Sequence, residues 1–277
     1  MTQIMHQSVH QHVNQPVNQP PQAVSLEHIP SIHATAPSER VSERYGFIPT
    51  SVIVTALERE GFIPVNARAA RSRPDRAPFA KHMLRFRHRD HLVKQVGDWL
   101  PEIVLLNAHD GSACYRIMAG IFRLVCLNGL VVGSSFADLR VRHTKNAASE
   151  VVDASFRVIE ALPRIGEDVQ AMRAVDLSEA ERLAFATSAL ALRFEDEAPI
   201  RAAQLLEPRR HADTATDLWT SFNTVQEHLL RGGDRTITTG SRRRGKTRQI
   251  SSVGEDVRLN RALWTLAEEM ARLKTAG

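Results

Sequence analysis

Between about residues 82 and 143 apolar side chains alternate or run in short strand-length segments, and from Ala147 they recur at helical spacing; this change of period divides the chain into two kinds of structure. His82-Met83-Leu84-Arg85-Phe86-Arg87-His88-Arg89 alternates as a half-buried strand does, with Leu84, Phe86 and His88 on one face and Met83, Arg85, Arg87 and Arg89 on the other. Glu102 to Leu106 reads as a second strand, closed by the turn Asn107 to Ser112 around Asp110-Gly111. Cys114 to Cys126 is apolar enough for a strand or a strand–helix pair. Asn128-Gly129 reads as the next turn, and Phe136 to His143 as a further strand. Ahead of these, Thr50 is expected to cap a helix over Ser51 to Glu60, with Phe62 to Ala70 extended.

From Ala147 the periodicity is helical, with a break expected at Pro163. Ser178 and Glu181 form a capping box that opens a helix to Arg193. Asp213 to Leu230 reads as an amphipathic helix stopped by Gly232-Gly233, and Glu255 to Leu273 as the last helix. The expected class is α+β, a strand-rich part over 38–144 and a helical part over 145–277 forming one domain. Residues 1–37, rich in Gln, His, Pro and Asn, are expected to be a disordered tail. His6, His10 and His12 in that tail have no acid or Cys beside them to anchor a metal.

No apolar run approaches the length of a membrane span, the N-terminus lacks a secretory h-region, and Cys114 and Cys126 are too few for a disulfide framework. A cytoplasmic location follows as an expectation. A formal charge of +5 on 277 residues is modest, so the placement of charge matters more than its sum.

Two segments concentrate that charge. Arg231, Arg235, Arg242, Arg243, Arg244, Lys246 and Arg248 oppose the single acid Asp234 in a Thr- and Gly-rich loop between two helices, within a basic loop placed at 231–250. Arg68, Arg71, Arg73, Arg76, Lys81, Arg85, Arg87 and Arg89 oppose only Asp75 and Asp90. Arginines two apart on a strand lie on one side, spaced about 6–7 Å, a distance that suits a phosphodiester backbone. Arg85, Arg87 and Arg89 are therefore expected to line a nucleic-acid groove, with Arg242, Arg243, Arg244, Lys246 and Arg248 as a clamp. The competing expectation is that the sheet arginines are ion-paired.

Catalytic patterns are weak. Asn107, His109, Asp110 and Cys126 could bring a thiol and a base to neighbouring turns. The Asp-Gly and Asn-Gly pairs are equally what tight turns require. No Cys-x-x-Cys, His-Glu-x-x-His or aspartate-rich loop is present, so no metal or cofactor is expected. Arg243-Arg244-Gly245-Lys246-Thr247 lacks the first glycine of a phosphate loop. Glu195, Asp196, Glu197 and Glu207 read as solvated acids, and Trp219, Asn223, Gln226 and Glu227 as helix packing with buried hydrogen bonds.

Several motifs in order resemble one family. Tyr115-Arg116-Ile117-Met118-Ala119-Gly120-Ile121-Phe122-Arg123 continuing to Leu130, Leu206-Glu207-Pro208-Arg209-Arg210, Asp217 to Glu227, Arg244 to Arg248 and Asn260-Arg261-Ala262-Leu263-Trp264 are similar to the phage/plasmid-like proteins of domain of unknown function 932. The resemblance implies a mobile-element context and supplies no catalytic residues. Mobile elements commonly encode DNA-handling proteins, annealing and recombination proteins among them. The leading expectation is therefore non-specific binding of nucleic acid, with single-stranded DNA as partner and a homo-oligomer if strands are annealed. The alternatives are a regulatory protein that takes an acidic protein partner, and a nuclease or hydrolase using Asn107, His109, Asp110 and Cys126.

Overall fold

A computed structural model describes residues 23–43, 45–89, 99–123, 128–132, 138–195, 197–237 and 245–275. Arg242, Arg243, Arg244 and Cys126 lie outside the described residues, as does the first part of the tail. The elements are α1 (Thr50–Arg59), β1 (Phe62–Ala69), β2 (His82–His88), β3 (Trp99–Asn107), β4 (Tyr115–Arg123), β5 (Asn128–Val131), β6 (Asp138–Val141), α2 (Ala147–Arg173), α3 (Glu179–Arg193), α4 (Leu218–Arg231) and α5 (Val253–Thr275). Strands precede the long helices, so the chain is α+β.

The strands form one antiparallel sheet in the order β1-β2-β3-β4-β5. On the edge of β4 away from β3, Gly120–Arg123 pair with β5 and Tyr115–Met118 pair with β6. The inner face (Leu84, Phe86, Ile103, Leu105, Ile117, Ala119 and Ile121) packs on α1 and α2. The outer face is not open to solvent throughout: Met83, Val104, Leu106, Met118 and Val131 close on Val253 and Val257 of α5. One strand pattern thus serves two hydrophobic clusters, and polar outer positions near α5 must find partners.

Several expectations are corrected. Order begins before Ser38, because Ile29, Ile32 and Ala34 bury their side chains around a 3₁₀ turn at Pro30–Ile32 and Val24 N–H donates to Pro64 O. Asn128-Gly129 opens β5 and is no turn, while the Asp110-Gly111 turn is present with Gly111 at φ +81°. Cys114 precedes a single strand, β4. Helix α2 continues through Pro163 to Arg173. Thr50 begins α1 without capping it, its hydroxyl being used elsewhere.

Helix α4 is buried on every side. Leu218 to Leu230 are all buried, polar residues included, so it is the central helix of the helical half. Its polar groups find partners: Gln226 Nε2 donates to Asn260 Oδ1 at 2.8 Å, and Arg210 bonds both oxygens of Glu227 at 2.8 Å. Gly232 ends it at φ +65°, where an added Cβ would stand 2.6 Å from Thr247 O. That close approach lets the chain leave α4 beside the returning segment.

Candidate nucleic-acid interface

Arg85 and Arg87 point into the protein. The Arg85 side chain is 6% exposed and its Nη1 donates to Glu102 Oε2 at 3.0 Å and to Leu130 O at 3.2 Å. Arg87 donates through Nε and Nη2 to Glu102 Oε1 at 3.0 and 2.8 Å, and its guanidinium lies 4.5 Å from the Phe122 ring centre. The expected groove wall of Arg85, Arg87 and Arg89 therefore does not form: two of its members share one buried carboxylate. Arg89 is exposed, but at the end of β2 opposite Lys81. Gly120 and Gly129 make room for the Arg85 guanidinium. An ideal Cβ would meet Val104 Cγ2 at 2.7 Å and Arg85 Nη1 at 3.1 Å from Gly120, and Arg85 Cζ at 2.7 Å from Gly129. Glycine at those two sites is a packing requirement.

The described residues on either side of 238–244 form a short two-stranded stem. Gly233 N–H donates to Thr247 O, Thr247 N–H to Asp234 O and Thr236 N–H to Gly245 O, with Arg235 and Lys246 facing each other across it. The one acid of the segment does not neutralise these cations. Asp234 Oδ1 lies 2.5 Å from His228 Nδ1, its Oδ2 accepts from Thr247 Oγ1, and Arg209 approaches at 3.5 Å. Arg235, Lys246 and Arg248 are exposed and make no ion pair among the described residues.

The two basic segments meet at the start of α5. Arg68, in β1, donates to Asp256 Oδ2 at 2.5 Å across a separation of 188 residues, and to Ile250 O at 3.2 Å. This fastens β1 two residues beyond Arg248. Arg193, at the end of α3, donates to Arg248 O, and Arg258 reaches back to Leu192 O at 2.8 Å. Beyond this junction the outer sheet face carries Arg68, Met83, Leu106, Arg116 and Arg140 in register across five strands.

Charge in the sequence does not single out Arg116 and Arg261, because neither belongs to a basic run. Arg116 grips Asp138 with Nε and Nη2 at 2.6 Å each, and Arg261 Nη2 reaches the same carboxylate at 2.9 Å. Burial pushes the Asp138 carboxyl up, but the Arg116 hydrogen bonds and the charges of Arg116, Arg261 and Arg140 outweigh it and hold it below the usual range. The surface is not uniformly positive. Arg193, Phe194, Glu195, Glu197, Glu255 and Arg258 line a recess of about 410 Å³ where the end of α3 meets the start of α5.

His109, the candidate base, lies in a buried polar cluster on the inner face. Thr50 Oγ1 is 2.9 Å from His82 Nε2 and 3.0 Å from His109 Nε2, and accepts from Asn107 Nδ2 at 3.2 Å. His82 Nδ1 donates to Ala80 O, so in the neutral ring Nε2 accepts the Thr50 hydroxyl proton. Tyr45, Tyr115 and His143 stack beside them, ring centres 4.4 Å (Tyr45–His143) and 4.6 Å (Tyr115–His143) apart. Burial first, then the neighbouring His82 and His143, push the His109 pKa down to about 3; burial pushes His82 down to about 4. Thr50, His82, Asn107, His109 and Tyr115 are fully buried, an arrangement that holds loops together. Asp110 caps its own turn by accepting Ser112 N–H. Among the described residues no group of His, Cys, Asp or Glu is placed to hold a metal.

Fold and surface together define an α+β protein with a basic junction built around the first turns of α5. The chain belongs to the family described as "Domain of unknown function (DUF932)", whose model matches residues 37–264. It is similar to two proteins of Escherichia coli (strain K12). The UPF0380 protein YafZ is 41% identical over 246 residues, covering 87% of this chain and 88% of that protein. The UPF0380 protein YfjQ is 40% identical over 247 residues, with the same coverage of 87% and 88%. No solved structure matches the chain.

Proposed function

We propose that this chain binds nucleic acid by its phosphate backbone, without reading bases, and that single-stranded DNA handled by a mobile element is its partner, with annealing of strands as the activity this leads to. The observation that carries the reading is the junction: basic segments far apart in sequence are fastened side by side by Arg68, Asp256 and Ile250. Exposed Arg235, Lys246 and Arg248 stand on a stem whose only acid is engaged elsewhere. Exposed Arg71, Arg73 and Arg76 lie in the β1–β2 loop that ends at Lys81. Clustered cations of this kind gain affinity by releasing condensed counterions, and need no stacked aromatics. A cytoplasmic location is part of the same proposal; among the described residues no helix is long and apolar enough to cross a membrane.

Fluorescence anisotropy with labelled single- and double-stranded DNA over a salt series tests this. Wild type is expected to bind with a steep salt dependence. A variant with Arg242, Arg243, Arg244, Lys246 and Arg248 changed to alanine is expected to bind more weakly. Its log–log salt slope on single strands should be shallower by about 0.7 for each phosphate that is no longer neutralised. No binding by wild type at low salt, or equal slopes for the two proteins, would overturn the proposal. An acidic protein that binds wild type while DNA does not compete would favour a regulatory role instead.

A further inference from the structure

The outer sheet face and α5 enclose a groove of about 440 Å³ whose walls include Lys81, Leu106, Arg116, Val257, Arg258 and Arg261. Arg140 adjoins it, paired in register with Arg116. Arg258 is balanced by Glu255, to which it donates at 2.6 and 2.8 Å. Among the described residues Lys81, Arg116, Arg140 and Arg261 have only Asp138 between them, and neither Lys81 nor Arg140 makes an ion pair. The groove thus keeps about three uncompensated positive charges close together, an arrangement that costs stability unless an anion is taken up.

Asp138 explains how that excess is held in place. By occupying the fork of Arg116 and one nitrogen of Arg261, it fixes two guanidiniums on one carboxylate. The Arg261 Nε is buried with no hydrogen-bond partner among the described residues. Arg140, whose residue is exposed, and Lys81 complete a rim from the sheet edge to the β1–β2 loop. Leu106 and Val257 give the groove apolar lining, and no carboxylate lines it among the described residues; Asp138, Glu255 and Asp256 nearby are each paired with an arginine. Pockets of a few hundred Å³ suit a small ligand or one unit of a polymer.

We infer that this groove is a phosphate seat, held by Lys81, Arg140, Arg116 and Arg261, which takes phosphate groups either from a nucleic-acid strand crossing the junction or from a small free phosphate compound. It rests on the nucleic-acid reading only for the first source. The test uses the full chain and the double variant Lys81→Ala/Arg140→Ala, which keeps the bonds of Arg116 and Arg261 to Asp138. The probes are inorganic pyrophosphate, followed by calorimetry and thermal melting, and a labelled oligo-dT, followed by anisotropy.

Pyrophosphate is expected to bind wild type and raise its melting temperature. The double variant should bind it roughly tenfold more weakly while melting, without ligand, no lower than wild type. Loss of oligo-dT affinity in the same variant, with a salt slope lower by about 1–2, assigns the seat to a strand. Pyrophosphate binding that the variant weakens, with no oligo-dT binding by wild type, supports a small-phosphate seat and defeats the nucleic-acid reading. Oligo-dT binding that is equal in both proteins, with no pyrophosphate binding, overturns the seat and leaves the nucleic-acid reading intact. Failure of wild type to bind either probe overturns both.

Discussion

Replacing Glu102 with alanine is expected to lower the stability of the fold by about 3–5 kcal/mol, because it strands a buried guanidinium without its counter-charge. Glu102 is 1% exposed and receives bonds from both Arg85 and Arg87. Arg85 cannot turn out to water: Gly120, Gly129 and Leu130 O surround its guanidinium, and α5 covers the face nearby. Arg87 has the Phe122 ring and a less buried position, so it would be partly rehydrated. Urea denaturation of wild type and Glu102→Ala, with the double variant Glu102→Ala/Arg85→Met, checks the cause. The double variant should recover a substantial part of the loss, since an apolar chain in place of both partners removes the unpaired charge. A loss below about 1 kcal/mol for Glu102→Ala would mean that the pair is hydrated, as surface pairs are.

Acid should weaken the fold almost as strongly. In the native protein His82 titrates near 4 and His109 near 3, against 6.5 for an ordinary imidazole, burial being the main cause for both. Between those values the unfolded chain takes up protons that the native chain refuses. Stability is therefore complete above about pH 7 and declines as the pH falls from 6.5 towards 4. For His82 alone the full loss is about 3 kcal/mol, of which about 2 kcal/mol is gone by pH 5. The carboxylates held below their usual range, Asp138 and Glu227 among them, act in a lower window, since their contribution is lost only as the pH drops through 4 and below. The urea midpoint should therefore fall between pH 7.5 and pH 5.0, while the NMR signals of the His82 and His109 rings stay in their neutral positions. A flat midpoint over that interval, or ring signals that titrate near 6.5, would rule out the buried neutral cluster.

What could be read from the sequence follows from how local each cause is. The Ser178–Glu181 capping box is complete within four residues, and both halves of it are present. Alternation in 82–89 correctly separates Leu84 and Phe86 from Arg85 and Arg87. What alternation cannot say is whether the second face is wet, because its cover, Val253 and Val257, comes from the far end of the chain. The same gap explains Asn128-Gly129. A turn and a strand position without a Cβ are spelled alike, and the reason for Gly129 is the Arg85 side chain packed against it. Helix α4 shows a clear apolar stripe, yet its polar side is buried by partners such as Asn260 and Arg210 that no periodicity reveals. Of the candidate site, Lys246 and Arg248 are legible as part of a charge run, whereas Arg116, Arg140 and Arg261 come together only through the pairing of β4 with β6 and the placement of α5.

If basic segments distant in sequence form one phosphate-binding surface around the start of α5, a bound strand must touch all of them at once. Ultraviolet cross-linking of a 4-thiothymidine oligonucleotide to the full-length protein, with the attached peptides identified by mass spectrometry, measures this. Attachment is expected in the β1–β2 loop up to Lys81, in the segment from Arg235 to Arg261, and near Arg140. Cross-links confined to the exposed faces of α2 and α3, with none in those segments, would show that no such surface exists.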